Sequence, residues 1–350
     1  MLTNVGLFPS ELDNRKPLRE AIDEALVRPL PSYARWPRVL AILTLVLLGF
    51  LIFTGFLLAF YYQPTPAEAW QSTTMIMRDV SFGWFVHQVH GWAADALLLI
   101  LLVRLWRFYF QGLYRAPREG LWILAVLLFL AATHADLTGH LLSWTGHGYW
   151  TTVRAIEILY SLPLLGPLFA YFIGGVSVDS LVLTRFYFLH VAVWPPLLML
   201  LIYLTSSGVR RVGLSGIPES REGGRAAYTR YLYNLLILVV VMLGVLVTLA
   251  TLLPARFDQM ADLFSTPPGA RPPWYLLASY GFMEFFPGWI PRWTRGLLLE
   301  GILLVCLLVP FIDRSAPRPD GRRPLAIAIG AGVLVLWIAF SWYGYRLEAG

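Results

Sequence analysis

Residues 83–110 read GWFVHQVHGWAADALLLILLVRLWRFYF, and residues 183–204 read LTRFYFLHVAVWPPLLMLLIYL. Each stretch is long and apolar enough to form a helix that crosses a bilayer. Each also carries a histidine among its apolar residues, His90 in the first stretch and His190 in the second. Because an ionisable side chain inside a membrane is costly, both imidazoles are expected to have a partner or a function.

The composition of the 350-residue chain is that of an integral membrane protein. Hydrophobic residues make up 57% of the chain and charged residues 14%, with a mean hydropathy of +0.63. These values are too apolar for a soluble domain. The net charge of +6 is better explained by basic loops on one side of a membrane than by a nucleic-acid partner. The single cysteine, Cys306, excludes an internal disulfide and a CxxCH attachment of c-type heme.

The hydrophobic pattern predicts an all-α polytopic membrane protein with about seven transmembrane helices. The predicted spans are 39–62, 84–110, 120–137, 183–205, 231–253, 297–313 and 324–345. Residues 1–38 are predicted to form a basic amphipathic cytoplasmic segment, without a cleavable signal. Most of the 27 basic residues then lie on the cytoplasmic side, as the positive-inside rule requires. The long outer connections, 138–182 and 254–296, are rich in glycine, proline and aromatic residues and are expected to be ordered.

The two intramembrane histidines suit the two axial positions of one iron porphyrin. The alternative is that His90 and His190 are core histidines, hydrogen-bonded within a heme-free scaffold. All six histidines fall in the outer half of the predicted membrane spans or in the outer loops: His87, His90, His134, His140, His147 and His190. The pattern therefore predicts a heme site at the outer end only.

Several motifs occur together in an order that is specific to one family. They are TGFLLAFYYQPTPAEAW at 54–70, FGWFVHQVH at 82–90, YRAPREGLW at 114–122, GYW at 148–150, LTRFYFLH at 183–190 and PPWY at 272–275. From about residue 45 to residue 313, the chain resembles cytochrome b of the quinol:cytochrome c or plastocyanin oxidoreductases. The resemblance implies a four-helix heme-binding domain (39–210), a cytoplasmic linker (211–230) and a three-helix C-terminal domain (231–350).

The resemblance also implies a heme ligand set at the outer end. In that family, two hemes are stacked through the membrane, each held by one histidine of the second helix and one of the fourth. The outer pair corresponds to His90 and His190. Gly55 and Gly139 correspond to the glycines that let the outer porphyrin lie close to the backbone. We therefore expect one noncovalent heme b.

The corresponding inner positions have been replaced. Arg104 stands fourteen residues after His90, where the family has the first inner ligand, and Leu204 and Thr205 stand where it has the second. The inner glycines correspond to Ala41 and Ala125. Arg104 is expected either to extend its charge towards the cytoplasm, as its neighbour Arg107 can, or to fill the emptied cavity and hold a lipid or quinone headgroup.

The second candidate site is a quinol pocket. In the family, a Pro-Glu-Trp-Tyr motif lies at the site of quinol oxidation, where its glutamate is thought to accept a proton. Here the motif is Pro272-Pro273-Trp274-Tyr275, so the aromatic residues remain without the carboxylate. His134 and Asp136 are candidate substitute proton acceptors, and the alternative is that they form structural hydrogen bonds. Glu284 is a weaker candidate, and Asp95 is expected to contact another subunit or to carry protons.

Two classes of function remain open from the sequence. The first is a subunit with one b heme that passes electrons between a membrane quinone and an outer-face c-type cytochrome or iron-sulfur protein, without a Q cycle. The second is a heme-free anchor that holds lipid or quinone within a multisubunit redox complex. In either case, we expect a bacterial cytoplasmic (inner) membrane, a cytoplasmic N-terminus and no nucleic-acid partner.

Overall fold

A computed structural model describes residues 36–173, 178, 180–212, 225–255, 257–267, 269–313 and 323–347. Within these residues every regular element is a helix, apart from one isolated bridge between Thr145 and Met260. The predicted all-α fold class is therefore confirmed. The predicted N-terminal segment and most of the predicted linker lie outside the described residues.

The helices are numbered here in chain order. The first eight are α1 Trp36–Ala59, α2 Ala69–Arg78, α3 Gly83–Phe110, α4 Glu119–Leu142, α5 Gly146–Tyr160, α6 Leu165–Ile173, α7 Ser180–Phe188 and α8 Trp194–Val212. The remaining four are α9 Arg225–Leu252, α10 Leu277–Phe285, α11 Arg292–Ile312 and α12 Pro324–Arg346. A π-helical segment, Leu189–Val193, joins α7 to α8, and a 3-10 turn, Trp274–Leu276, precedes α10.

Residue contacts divide the chain into two units. The first contains residues 1–43 and 214–245, and its described parts belong to α1 and α9. The second contains residues 44–213 and 246–350. Every candidate site residue named above, except Ala41, lies in the second unit.

Six helices in the described part of the chain are long and apolar enough to cross a membrane. They are Val39–Ala59, Glu119–Leu142, Leu181–Val212, Thr229–Leu252, Arg292–Ile312 and Pro324–Arg346. The remaining predicted span, 84–110, corresponds to α3, whose 28 residues would extend about 42 Å. This helix also carries Asp95, Arg104 and Arg107. The protein is thus a multi-span helical membrane protein, and seven remains an approximate count.

Helix α4 is the central helix of the second unit. It packs against α3, α5 and α8. Its buried residues are distributed around the helix rather than along one stripe, as expected for a helix surrounded by protein. It also extends five residues beyond the predicted span 120–137, to Leu142. Consequently Gly139 and His140 belong to the helix and not to a loop.

The π-helical segment places His190 within a local distortion of the helix. Pro195 and Pro196 follow this segment after Trp194. Neither proline has the amide hydrogen that would bond the carbonyl four residues earlier. Those carbonyls belong to Val191 and Ala192, inside the π segment. A helix irregularity at this point is therefore a consequence of the sequence, and such π segments are frequent at functional sites.

Side chains from earlier helices hold the non-helical chain that precedes the 3-10 turn. Gln88 bonds both backbone groups of Ala255, accepting from its nitrogen at 2.7 Å and donating to its oxygen at 3.2 Å. Three indole nitrogens also donate to carbonyl oxygens of this stretch: Trp92 to Leu253, Trp70 to Asp258 and Trp150 to Asp262. These bonds fix the path of the chain that leads to residues 272–275.

Candidate functional site

The structure brings the two predicted ligand histidines together. The ring of His90, from α3, and that of His190, from the π segment, have centroids 6.2 Å apart and planes inclined by 64°. Both rings are part-buried in the helical bundle. We call this the histidine end of the bundle, and the opposite end, which carries Arg104 and Arg107, the arginine end.

Hydrogen bonds select the same tautomer for both imidazoles. The Thr54 hydroxyl donates to the carbonyl of Phe50 at 2.8 Å, so its oxygen is left to accept from Nδ1 of His90 at 2.8 Å. Nδ1 of His190 donates to the carbonyl oxygen of Ala135 at 2.9 Å. A proton on Nδ1 leaves the lone pair on Nε2, which is the arrangement seen in metal-binding histidines.

Two glycines make room for the rings. A Cβ atom built on Gly55 would lie 3.1 Å from Cε1 of His90, and one built on Gly139 would lie 2.8 Å from Cε1 of His190. Real Cβ contacts almost never fall below 3.0 Å. Since an alanine would press directly on the ring, the glycines hold open the space in which the imidazoles sit.

A Thr-Gly pair serves each histidine in the same way. On α1 the pair is Thr54-Gly55, and on α4 it is Thr138-Gly139, where the threonine oxygen lies 3.2 Å from Nδ1 of His190. In each pair, the threonine is a hydrogen-bond partner of the ring and the glycine gives it space. The sequence prediction found the glycines and missed the threonines, although the repeated TG dipeptide was a signal that could have found them.

The ring pair fits a six-coordinate porphyrin iron. Two imidazoles bound at about 2 Å on opposite sides of one metal ion, with roughly 1 Å from nitrogen to ring centre, have centres roughly 6 Å apart. The observed 6.2 Å agrees with that spacing. In the described part of the chain, no group of three or more His, Cys, Asp or Glu residues could hold a bare metal ion. The donor set is thus suited to a cofactor that brings its other ligands with it.

At the arginine end, the helices are held by other contacts. The guanidinium of Arg104 donates from Nη1 to the hydroxyl of Thr44 at 2.9 Å. The hydroxyl of Thr205 is buried and donates to the carbonyl of Leu201 in its own helix, at 2.7 Å. A Cβ atom on Gly208 would lie 2.5 Å from Cδ2 of Leu121, so that α8 and α4 are in close contact there. None of these side chains is an imidazole like those at the histidine end.

The Trp274 and Tyr275 side chains point towards α3 and α4. The indole nitrogen of Trp274 donates to Oδ1 of Asp95 at 2.8 Å. The hydroxyl of Tyr275 donates to the carbonyl of Thr133 at 3.2 Å, and its side chain is buried. Pro272 is buried as well. The contact between Trp274 and Asp95 was not anticipated from the sequence, where Asp95 had no identified partner.

Asp136 lies on the same side of α4 as these groups. Only 8% of its side chain is exposed, and its Oδ2 lies 3.3 Å from Nδ1 of His140, one turn further along α4. Burial and the charges of Asp136 and Asp95 together raise the pKa of Tyr275 well above its ordinary value. The phenol therefore stays protonated and can act only as a hydrogen-bond donor or neutral acceptor at physiological pH.

His134, the other predicted proton acceptor, has different neighbours. Its Nδ1 lies 2.7 Å from the carbonyl oxygen of Leu130 in its own helix. Its ring stacks on Phe169, with centroids 5.3 Å apart, and lies against Trp194 at 5.7 Å. Its Nε2 is buried and has no hydrogen-bond partner among the described residues. The structure thus associates Asp136, rather than His134, with Tyr275.

The weaker candidate Glu284 is part of a surface ion pair. Its Oε1 lies 3.3 Å from Nη2 of Arg292, and both side chains are substantially exposed. This contact explains the charge of Glu284 without a role in a pocket.

Family comparisons cover most of the chain. Residues 29–210 match the model described as cytochrome b/b6/petB, and residues 260–349 match the model described as cytochrome b(C-terminal)/b6/petD. A cytochrome bc complex cytochrome b subunit of Chlorobaculum thiosulfatiphilum is 30% identical over 309 residues, which are 84% of this chain and 70% of that protein. Cytochrome b6 of Prochlorococcus marinus (strain NATL1A) is 34% identical over 203 residues, 58% of this chain and 93% of that protein.

A solved structure is similar over nearly the whole length. A chain of a hyperthermophilic respiratory Complex III superposes with a TM-score of 0.82 and 26% sequence identity, covering 96% of this chain and 91% of that one.

Proposed function

The chain belongs to the cytochrome b family and is a cytochrome b subunit of a bc-type complex, and from this premise we propose that it binds a single b heme, through His90 and His190. The bound heme would supply a one-electron carrier. The chain would exchange electrons between a membrane quinone and outer-face redox proteins, such as a c-type cytochrome or an iron-sulfur protein. It would do so without a Q cycle.

The observation that carries this proposal is the duplicated arrangement around the histidines. Each ring has a glycine beneath Cε1, and each Nδ1 is committed to an oxygen acceptor, so that Nε2 is left as the ligating atom. Two core histidines without a cofactor would not require a glycine beside each ring and a fixed Nδ1 proton. This argues against the heme-free anchor, the second function considered from the sequence.

The proposal of one heme rests on the arginine end. Arg104 occupies the position of one inner ligand and is bonded to Thr44, while Thr205 bonds its own helix. Neither a guanidinium nor this hydroxyl replaces an axial imidazole. Arg104 and its contact with Thr44 support a structural role better than a headgroup site, because the guanidinium already has a partner within the bundle.

The absence of a Q cycle follows from distance. Fourteen residues of helix separate His90 from Arg104, which is about 21 Å along the axis. Without a carrier at the arginine end, the electron has no relay towards the cytoplasmic side. The second feature that supports this proposal is the missing glutamate in Pro272-Pro273-Trp274-Tyr275.

The distribution of basic residues supports the membrane orientation that we propose. The positive-inside rule places the arginine end and the N-terminus on the cytoplasmic side of a bacterial inner membrane. The histidine end, together with Trp274, Tyr275 and Asp136, would then face the outer side, where soluble acceptors dock. Lipid would cover the exposed apolar helix faces.

A pair of histidine variants of the purified complex tests the heme assignment. His190→Ala should abolish the reduced b-type absorbance, because one axial ligand and its ordered surroundings are lost. His87→Gln is the matched control, since His87 is a partly buried histidine three residues before His90 on α3 that has no part in the proposed site. Unchanged absorbance in His190→Ala would overturn the assignment, and a parent complex without b-type absorbance would favour the heme-free anchor.

A further inference from the structure

A carboxylate from another helix lies beside the segment that lacks its own. Asp95 is on α3, five residues or about 7.5 Å along the helix from His90. Its Oδ1 accepts a hydrogen bond from the Trp274 indole at 2.8 Å. Among the described residues, Trp274 bonds Oδ1 of Asp95, and the second carboxylate oxygen is left to take a proton.

A buried phenol lies between this carboxylate and α4. Tyr275 interacts with the charges of both Asp95 and Asp136, and its hydroxyl bonds the carbonyl of Thr133. The aromatic side chains of Trp274 and Tyr275 meet edge to face, with centroids 5.7 Å apart. Asp95 is therefore placed at the same two rings that would contact a quinol ring.

The groups that face Asp95 lead towards the surface of the protein. Apart from Tyr275, the titratable groups that interact with it are Asp136 and His140, both from α4. The side chain of Asp136 is 8% exposed and that of His140 is 31% exposed, and they lie 3.3 Å apart. The half-buried Asp95 thus interacts with a second carboxylate and with an imidazole that reaches solvent. The 92% buried Asp136 leaves Oδ2 without a hydrogen bond of good geometry among the described residues.

We propose that Asp95 accepts the proton of a membrane quinol in place of the carboxylate missing from Pro272-Pro273-Trp274-Tyr275. This inference rests on the proposed function. A quinol loses two protons and two electrons to become a quinone. Each proton passes from a quinol hydroxyl to Asp95 and then to water, and each electron reduces one oxidised one-electron acceptor of the outer face. One quinol and two oxidised acceptors therefore give one quinone, two reduced acceptors and two protons.

The other candidates have contacts that fit this role less well. His134 has its Nδ1 against Leu130 and its ring against Phe169. Glu284 is neutralised by Arg292 at the surface. Asp95 alone of the three contacts an aromatic residue of segment 272–275 directly.

The test uses variants of the purified complex, in which heme reduction is started with a water-soluble quinol analogue. Asp95→Asn keeps an oxygen that can accept from Trp274 but removes the proton acceptor. It should slow quinol-driven reduction by about 100-fold or more, the lower range for loss of a general base, and leave reduction by dithionite unchanged. Asp95→Glu should restore most of the rate. Glu284→Gln is the matched control and should keep the parental rate, and His134→Gln tests the alternative acceptor.

A rescue variant distinguishes proton transfer from a structural role. Pro273→Glu, added to Asp95→Asn, puts a carboxylate into the segment 272–275. The double variant should reduce its heme with quinol at least tenfold faster than Asp95→Asn alone. Infrared difference spectra give a readout that does not depend on turnover. A carboxylic acid band should appear in the parent when quinol is added, shift in Asp95→Glu and disappear in Asp95→Asn.

The outcomes separate this inference from the proposed function. A parental rate and an unchanged infrared band in Asp95→Asn would overturn the inference alone. Slow reduction in His134→Gln with a parental rate in Asp95→Asn would transfer the role to His134. A parent complex whose heme is never reduced by quinol would overturn the proposed function and the inference with it.

Discussion

The two ends of the helical bundle use the same helices for different purposes. At the histidine end, α3 and the π segment bring two rings to 6.2 Å, and Thr-Gly pairs on α1 and α4 support them. At the arginine end, α3 instead contributes Arg104, which bonds Thr44. At one end glycines leave room for two imidazole rings, and the other end is held by side-chain contacts.

If the chain binds one heme as proposed, the contrast between the two ends indicates that a heme site is lost as a set. A ligand, the glycine that gives space and the hydroxyl that orients the ring depend on one another, since none is useful without the others. In the sequence, Ala41 and Ala125 stand where the family resemblance has the inner glycines, and no histidine stands at either inner ligand position. At the histidine end, all the corresponding groups remain.

The largest expected effect concerns charge movement across the membrane. If only the histidine end carries electrons, the complex reconstituted in liposomes with quinol and an outer acceptor should generate no membrane potential through this subunit. The reason is the gap of about 20 Å to the arginine end. A potential-sensitive dye measures this. Charge movement coupled to reduction of internal quinone, with no other subunit supplying a transmembrane cofactor, would contradict the comparison.

The next effect concerns the glycines of the histidine end. Gly139→Ala should weaken heme binding by roughly tenfold or more, because overpacking typically costs about 1–3 kcal/mol. Gly55→Ala should have a smaller effect, since its Cβ would lie 3.1 Å rather than 2.8 Å from the ring. Heme retention during dilution measures both.

The matched controls for these variants lie on the same helices. Gly49→Ala on α1 and Gly120→Ala on α4 add a Cβ with nothing within 4 Å, so they should retain heme as the parent does. Equal retention in all four variants would show that the space around the rings does not matter.

The smallest effect should come from the threonines, and it should differ between them. Thr54→Val removes the oxygen bonded to Nδ1 of His90 and should weaken heme binding by about tenfold, the lower range for loss of a ligand's hydrogen-bond partner. Thr138→Val should have less effect, because Nδ1 of His190 keeps the carbonyl of Ala135. Redox titration and heme retention check the order. A larger effect of Thr138→Val would contradict the assigned hydrogen bonds.

Much of the fold was predictable because long apolar runs leave few alternatives. The long helices were found with errors mainly at their ends, as for α4, where Thr138 and His140 belong to a helix despite their polarity. The helices between the spans, α2, α5, α6 and α10, were not predicted. Polar residues end an apolar pattern, but inside a protein they continue a helix when neighbouring helices supply partners. Helix α3 also contains polar residues, Asp95, Arg104 and Arg107. It is not among the six helices that are long and apolar enough to cross a membrane by length and composition alone.

The candidate site was predicted in part. His90, His190, Gly55 and Gly139 have a signature in residue type and spacing, and the structure brings them together. The contact between Asp95 and Trp274 joins residues 179 positions apart. No local pattern encodes it, since it depends on how the chain before the 3-10 turn is held against α3. The choice between His134 and Asp136 likewise depends on which side of α4 faces Tyr275.

The proposal that the chain binds one heme is tested most simply by counting the hemes in each chain. Pyridine hemochrome analysis of the purified subunit, with the protein measured by amino-acid analysis, should give one noncovalent b heme per polypeptide, corrected for any heme of partner subunits. The His190→Ala variant should give none. Two b hemes per polypeptide would contradict the loss of a heme site at the arginine end.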